Sequence, residues 1–159
     1  MVSAETILAL EQTARSQGSG IEAASLAGVW RLQQTWTRDG HRPSPGTDPL
    51  LRSLGAQLSL QQSRDGWQIV NQVSLGALLL RFEGPAMLRG SRPLLQFHFR
   101  HVELKLGSLQ LLQRSIPEPP RQRLPFFALI ATAPDGQWLT ARGRGGGLAL
   151  WMKAASPSR

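Results

Sequence analysis

The sequence predicts a mainly β protein, an antiparallel β-barrel of about eight or nine strands preceded by a short N-terminal helix. Several short segments of alternating polarity follow one another with turn residues between them, a pattern typical of barrels and sandwiches. Those turns draw on 16 Gly and 11 Pro in a chain of 159 residues. A Gly-x-Trp segment near the start and an Arg-bearing glycine hairpin near the end indicate a sheet that closes on itself.

The first residues predict a single helix that ends at about residue 16. Ser3 is a preferred N-cap residue, and Ala4, Ile7 and Leu8 fall on one side of the helix, with Glu11 as a candidate for the same side. The first strand follows at residues 26–37. Its alternation places Gly28, Trp30, Leu32 and Trp36 on one face and Val29, Arg31, Gln33 and Thr35 on the other.

The remaining elements are predicted from turn chemistry and alternation. Asp48-Pro49 predicts a helical turn over residues 48–54, after a polar loop. Asp65-Gly66 predicts a hairpin turn, and the prolines of residues 116–125 predict an extended, basic loop. Strands are expected at 56–62, 67–75, 78–88 (broken at Gly84-Pro85), 93–106 (bent near His101), 107–113, 126–132, 138–142 and 148–152.

Composition restricts the function classes. Without Cys, the chain has neither disulfides, thiolate metal sites nor a Cys nucleophile. The N-terminus does not show the basic region followed by an apolar run that marks a secretory signal. No apolar run is long enough to span a bilayer. We therefore expect a cytoplasmic protein or one peripheral on a membrane. The expected organisation is a helix and linker at 1–20, a barrel domain at 21–153 and a flexible tail at 154–159.

The formal charge of +8 is unevenly distributed. Residues 1–30 carry a net charge of −2, and the remainder carries +10. A basic body attracts polyanions such as nucleic acid or anionic lipid headgroups. The alternative is that a GC-rich genome produces this composition, since 16 of the 18 basic residues are Arg.

Three segments resemble the plastid lipid-associated protein (fibrillin) domain family, which has cyanobacterial members. Leu26-Ala-Gly-Val-Trp-Arg-Leu is similar to the opening motif of the family, and Gln68-Ile-Val-Asn-Gln-Val resembles its middle strand. The closing Trp138-Leu-Thr-Ala-Arg-Gly segment, with its apolar last strand, resembles the ending. The chain departs from the family in having no Tyr and a shorter helical N-terminus. The resemblance implies a lipocalin-like barrel that handles hydrophobic molecules at thylakoid or plastoglobule lipid.

A barrel of this size leaves room for packed side chains or one small ligand. Strand alternation alone does not decide which face points inward, so a dry core stays open as the alternative. The candidates for lining an interior ligand site are apolar strand residues: Leu32, Trp36, Leu58, Leu60, Val73, Leu80, Phe82, Phe97, Phe99, Leu129 and Trp151.

One end of the barrel is predicted to be closed by Gly28, Trp30 and Arg142. In lipocalin-like barrels an Arg of the last strands often covers the Gly-x-Trp indole, a cation–π contact that contributes about 0.5–2 kcal/mol. One alternative is that Arg144, not Arg142, covers Trp30. The other is that Trp30 and Arg142 are both ordinary strand residues.

No catalytic set or metal site is predicted. His98 and His101 lie three residues apart on a strand and so point to opposite faces. The acidic residues Asp39, Asp48, Asp65 and Asp135 fall in turns. We therefore predict no enzyme, no metal and no cofactor.

The function expected from these observations is a non-catalytic carrier of a lipid, prenylquinone or carotenoid, peripheral to photosynthetic membranes. Its predicted contacts with an anionic membrane are Arg89, Arg92, Arg121 and Arg123. The alternatives are a basic nucleic-acid-binding barrel, a structural partner protein with a dry core, and a pigment or bilin chaperone. The last would need a cavity carboxylate, for which Glu83 and Glu103 are the candidates.

Overall fold

The computed structural model describes residues 1–41 and 56–155, and within them the fold is a closed antiparallel β-barrel with one N-terminal helix. The predicted fold class is confirmed. The predicted turn at 48–54, most of the loop before it and residues 156–159 lie outside the described residues. The elements are α1 Ala4–Gln17, β1 Gly28–Trp36, β2 Gln57–Ser63, β3 Gly66–Leu75, β4 Leu78–Arg89, β5 Leu94–Phe97, β6 His101–Leu106, β7 Leu109–Ser115, β8 Phe126–Thr132, β9 Trp138–Gly143 and β10 Leu148–Lys153, with short 3-10 helices at Ala23–Leu26 and Arg121–Arg123.

The barrel closes where the first strand pairs with the last. Strand β1 lies antiparallel to β10, with Trp30 opposite Lys153 and Leu32 opposite Trp151. In the part of the chain described, the ring runs β1-β2-β3-β4-β5-β8-β9-β10 and returns to β1 through this pairing. The predicted pairing of the opening and closing Trp-containing segments is confirmed.

The two remaining strands, β6 and β7, extend from the barrel as an extra hairpin. The 12-residue strand β4 pairs with β6 along Leu78–Glu83 and with β5 along Ala86–Arg89. The predicted single strand over 93–106 is therefore two strands, interrupted at 98–100, because β5 must also pair with β8. The predicted break at Gly84-Pro85 is wrong, since β4 is continuous there. Glycine is still required at Gly84, because a Cβ would collide with the His98 carbonyl oxygen.

A β-bulge in β1 reverses which side chains face inward. The register with β10 shifts between Leu32 and Gln34, so the strictly alternating prediction fails beyond Leu32. Trp36 therefore lies outside the barrel wall, in a cluster with Ile7 of helix α1 and Leu148. Trp36 also borders the cavity at the open end of the barrel, so its predicted contact with a ligand stays a prediction.

The end of the barrel near the start of β1 is filled with side chains. Trp30 is fully buried, and its indole Nε1 donates a 2.9 Å hydrogen bond to the Leu26 carbonyl at the end of the 3-10 helix. Leu60, Ile69 and Leu139 pack around it and leave almost no exposed surface. This end carries the hydrophobic core and offers no room for a ligand.

Helix α1 packs on the outer surface of the barrel. The hydroxyl of Ser3 accepts a 3.2 Å hydrogen bond from the Thr6 backbone N–H, which confirms the predicted N-cap. Ile7 is fully buried against Ile130 and Leu150, whose side chains point outward from β8 and β10. The helix thus covers the outward apolar face of these two strands.

Candidate functional site

The opposite end of the barrel is open and holds a cavity of about 280 Å³. This volume lies just below the range of cavities that enclose drug-sized molecules, about 300–1,000 Å³. The lining is mostly apolar, with Asn71 as the residue that brings an amide into it. The residues that line the opening, hereafter the mouth, include Leu32, Thr35, Trp36, Asn71, Val73, Phe127, Ala149 and Trp151.

Five aromatic side chains form a row across the interior below the mouth. Each ring contacts the next at a centroid distance typical of aromatic pairs, which contribute beyond their buried area. Two of the five, Phe127 and Trp151, line the mouth and give it an aromatic floor. The successive contacts of the row are Phe82–Phe99 at 5.4 Å, Phe99–Phe97 at 5.3 Å, Phe97–Phe127 at 5.4 Å and Phe127–Trp151 at 6.3 Å.

The apolar inner face of the barrel wall continues beyond the mouth onto the extra hairpin. Directly opposed residues of antiparallel strands share one face, so the pairings of β3 with β4, β4 with β6 and β6 with β7 define rows across four strands. We call the side chains of two such rows the leucine face. The rows are Leu75, Leu78, Leu106 and Leu109 at the hairpin tips, and Val73, Leu80, Leu104 and Leu112 behind them.

The tip row of the leucine face lies uncovered. Its four side chains, in the order of the row, are 60%, 36%, 47% and 60% exposed. Val73 belongs both to the second row and to the lining of the mouth. The exposed leucines are thus continuous with the interior cavity, and contiguous exposed apolar surface of this kind marks a site of interaction.

The predicted lining residues divide into three groups. Leu58, Leu60 and Leu129 lie in the filled core, where the dry-core alternative describes them correctly. Trp36 packs in the cluster beneath helix α1 and also borders the cavity at the open end. The structure places the others at the mouth, in the aromatic row or on the leucine face: Leu32, Val73, Leu80, Phe82, Phe97, Phe99 and Trp151.

Two parts of this site are missing from the sequence prediction. Phe127 joins the two halves of the aromatic row, and its position two residues before Leu129 on the same strand was the available signal. The leucines of β6 and β7 depend on the register of three strand pairs, which alternation does not supply.

The predicted closure of the filled end has the wrong cation. Lys153, not Arg142, lies over the Trp30 ring, with Nζ 5.1 Å from the ring centroid. Leu139 and Ala141 of β9 face the core, so Arg142 points out of the barrel. Gly28 does lie beside Lys153, whose Cε a Cβ at this position would meet at 3.1 Å.

Arg144, the alternative partner of Trp30, is also engaged elsewhere. Its guanidinium donates hydrogen bonds to the carbonyls of Arg123 and Gln122. The cation over Trp30 is therefore Lys153 at the end of β10, which lies directly opposite Trp30 in the strand pairing.

Outside the barrel, Arg142 pairs with Glu11 of helix α1. Its Nε and Nη2 donate hydrogen bonds of 2.7 Å and 2.6 Å to the two carboxylate oxygens. Arg15 and Arg92 each approach Glu11 Oε1 at 3.4 Å. The Arg142 hydrogen bond holds the pKa of Glu11 below its ordinary value against the opposing effect of burial, and Glu11 in turn raises the pKa of Arg142.

The arginines predicted to contact a membrane are distributed over two sides of the protein. Arg89 and Arg121 line one groove of about 430 Å³, together with Arg100. Arg92 instead turns toward Glu11. Arg123 lies in the 3-10 helix whose carbonyls hold Arg144.

The two candidate cavity carboxylates lie outside the mouth. Glu83 pairs with Arg81 and Glu103 with Lys105, and both line a shallow surface pocket. Across residues 1–41 and 56–155, no three His, Cys, Asp or Glu side chains converge as metal ligands would.

A scan against protein-family models finds no match for this chain, and a search of curated proteins finds no similar sequence. Membership of the plastid lipid-associated protein family therefore remains a prediction. Among the described residues, no helix combines the length and hydrophobicity needed to cross a bilayer.

Proposed function

We propose that this protein is a non-catalytic carrier of a hydrophobic small molecule such as a lipid, prenylquinone or carotenoid. The observation that carries the proposal is an open, aromatic-floored mouth whose apolar lining continues onto the exposed leucine face. Covering that surface is favourable by about 25 cal/mol for each Å² of apolar area removed from water. An apolar ligand seated in the mouth would do this.

The small volume of the mouth suggests how such a ligand lies. A cavity of about 280 Å³ encloses one end of an extended molecule, and the leucine face supports the part that protrudes. Asn71 and Thr35 bring polar side chains into the lining, and the Asn71 amide can orient a carbonyl or hydroxyl of the ligand. This arrangement suits a long amphiphile with one polar group.

The leucine face also suggests where the ligand is exchanged, namely at the surface of a membrane. Arg114 lies in the next row behind the leucines, opposite Val102. That row is about 13 Å from the tip row, at about 3.3 Å per strand residue. If the tips enter the bilayer by about 5–10 Å, Arg114 is then positioned at the headgroup layer, where a cation is favourable.

The other function classes lack a matching site. A nucleic-acid-binding barrel needs exposed aromatic side chains, whereas the row from Phe82 to Trp151 lies inside the barrel. A pigment chaperone that uses Glu83 or Glu103 needs those carboxylates in the cavity, and both lie on the other side of the wall. Neither alternative is favoured by a particular observation.

Titration with cis-parinaric acid, a fluorescent polyene fatty acid, tests the proposal. We expect saturable binding with one site per chain, and a loss of binding in Ala149→Phe because a ring would fill the mouth next to Trp151. Val73→Phe blocks the same space from the opposite wall, so the test can still be made if Ala149→Phe does not fold. Ala27→Phe, exposed at the filled end, is the matched control.

Equal binding by Ala149→Phe, Val73→Phe and Ala27→Phe, with all three folded, would place the fatty acid elsewhere and contradict the proposal. No saturable binding by the unmodified protein would contradict it as well.

A further inference from the structure

A second cavity, of about 730 Å³, lies on the outside of the barrel between helix α1 and the end of strand β9. Unlike the mouth, it is dominated by arginine. Its floor is apolar, formed by side chains that include Leu94 and Phe126. Its charged lining, which we call the arginine cleft, consists of Arg15, Arg38, Arg92, Arg142, Arg144 and Glu11.

The arginine cleft has too little negative charge for its cations. Glu11 is its only carboxylate among the described residues, and Arg142 already binds both of its oxygens at 2.7 Å and 2.6 Å. Arg15 and Arg92 reach the same Oε1 atom only at 3.4 Å, beyond the range of a good charged hydrogen bond. Their guanidinium groups therefore keep donors for a further anion.

One of those donors has no acceptor at all. Across the described residues, Arg92 Nε is the buried side-chain nitrogen or oxygen that lacks any hydrogen-bond partner. A buried charged donor without a partner is costly, so native proteins rarely retain one unless a ligand or water satisfies it. Arg92 is thus a lining residue of the cleft whose hydrogen bonding is left incomplete by the acceptors of the described residues.

The backbone of the closing hairpin leaves room for another cation. Gly146 has φ +95, and a Cβ there would meet Arg38 Cζ at 3.1 Å. Glycine at this position thus lets the Arg38 guanidinium lie against the closing hairpin. The cleft is consequently walled by guanidinium groups from helix α1, from the segment after β1, from the turn before β5 and from β9.

We propose that the arginine cleft binds a phosphate group, carried either by a small organic phosphate or by a lipid headgroup. Guanidinium groups match phosphate oxygens in geometry as well as charge, and a dianion can accept from Arg92 and Arg15 together. The apolar floor fits the carbon part of such a molecule. This site lies outside the barrel wall and does not depend on cargo in the mouth.

Calorimetric titration with inorganic pyrophosphate at constant ionic strength tests the site. We expect saturable binding that Arg92→Gln weakens by at least about tenfold, because charged hydrogen bonds are lost. Arg64→Gln, an exposed arginine in the β2–β3 turn, removes the same charge and should change affinity by less than about twofold. Arg15→Gln, whose side chain is 59% exposed, tests the cleft without risk to folding and should also weaken binding.

A second arm distinguishes the two sources of phosphate. Vesicles of phosphatidylcholine with phosphatidic acid should compete with pyrophosphate if the natural ligand is a headgroup, and should fail to compete if it is a free organic phosphate. Either result supports the site. Absence of saturable pyrophosphate binding, or equal affinities for Arg92→Gln, Arg15→Gln and Arg64→Gln, would overturn it. Ala149→Phe should leave pyrophosphate affinity unchanged, so that failure here is separable from failure at the mouth.

Discussion

Arg142 of strand β9 donates two hydrogen bonds to the carboxylate of Glu11 in helix α1, although the two residues lie 131 positions apart in the sequence. Arg142 also donates to the carbonyls of Arg38 and Gly146, so one side chain joins the helix, the segment after β1 and the closing hairpin. Glu11 is 4% exposed and is the one buried charged residue among those described. The pair therefore fixes the helix on the outer wall of the barrel.

Replacing Glu11 with Gln should lower the free energy of unfolding by about 1.5–3 kcal/mol, because hydrogen bonds to a charged group are lost while the shape is kept. Chemical denaturation measures this difference. Glu5→Gln, on the exposed side of the first helical turn, should change stability by less than about 0.5 kcal/mol. Equal effects of the two substitutions would show that the pair does not stabilise the fold.

The stability contributed by Glu11 should depend on pH in one direction. Because Arg142 lowers the folded-state pKa of Glu11 below its ordinary value of 4.5, the unfolded chain takes up the proton first as pH falls. The contribution is thus complete above about pH 5.5 and is lost as pH falls through the folded pKa. The stability difference between the unmodified protein and Glu11→Gln, measured against pH, should shrink only in this acidic range.

Asp39 also has a lowered pKa, because the Thr37 hydroxyl donates a 2.6 Å hydrogen bond to it. It titrates in both proteins and cancels in the difference. A stability difference that stays constant from neutral pH down to about pH 3 would contradict the assignment of the lowered pKa to Glu11.

The filled end of the barrel should be sensitive to Trp30 and much less so to the cation above it. Trp30→Ala removes a fully buried indole and should cost about 3–5 kcal/mol of stability. Lys153→Gln removes only the cation over the ring and should cost about 0.5–2 kcal/mol. Thermal unfolding of both variants checks the order, and a larger loss for Lys153→Gln would contradict it.

The leucine face should control attachment to membranes. The double variant Leu106→Asn and Leu109→Asn should lower the affinity for phosphatidylcholine vesicles containing phosphatidylglycerol by about tenfold or more, since apolar area no longer enters the bilayer. Cosedimentation measures this. Val29→Asn, at an exposed apolar position on β1 away from both the leucine face and the basic groove, is the control and should have little effect.

The basic groove lined by Arg89 and Arg121 is the alternative membrane contact, and the same cosedimentation measurement tests it. If Arg89 and Arg121 are the main membrane contacts, their double replacement by Gln should weaken binding more than the leucine variant does. That loss would disappear in phosphatidylcholine alone and at high salt. Such a result would exclude the leucine face as the docking surface.

Local signals predicted most of the strands and turns of this fold. Asp65-Gly66 fixes its hairpin through turn chemistry that the sequence displays directly, and the glycines after Arg142 do the same for the last hairpin. The pairing of β1 with β10 followed from the expectation that the sheet closes, which a mainly β chain of this length favours.

Features that depend on register or on distant contacts were not predictable in this way. The bulge after Leu32 reverses the alternation, so Trp36 packs beneath the helix at the border of the mouth. The pairing of Arg142 with Glu11 joins residues that no local pattern connects, and the expected partner Trp30 lies on the other side of the wall. The leucine face requires three strand registers at once.

Organic-solvent extraction of the protein purified from its native organism, followed by mass spectrometry, tests the central claim most directly. An open mouth that continues into the leucine face predicts about one apolar molecule per chain, and its absence from Ala149→Phe prepared in the same way. A preparation that carries no apolar molecule, or the same amount in Ala149→Phe as in the unmodified protein, would contradict the carrier function.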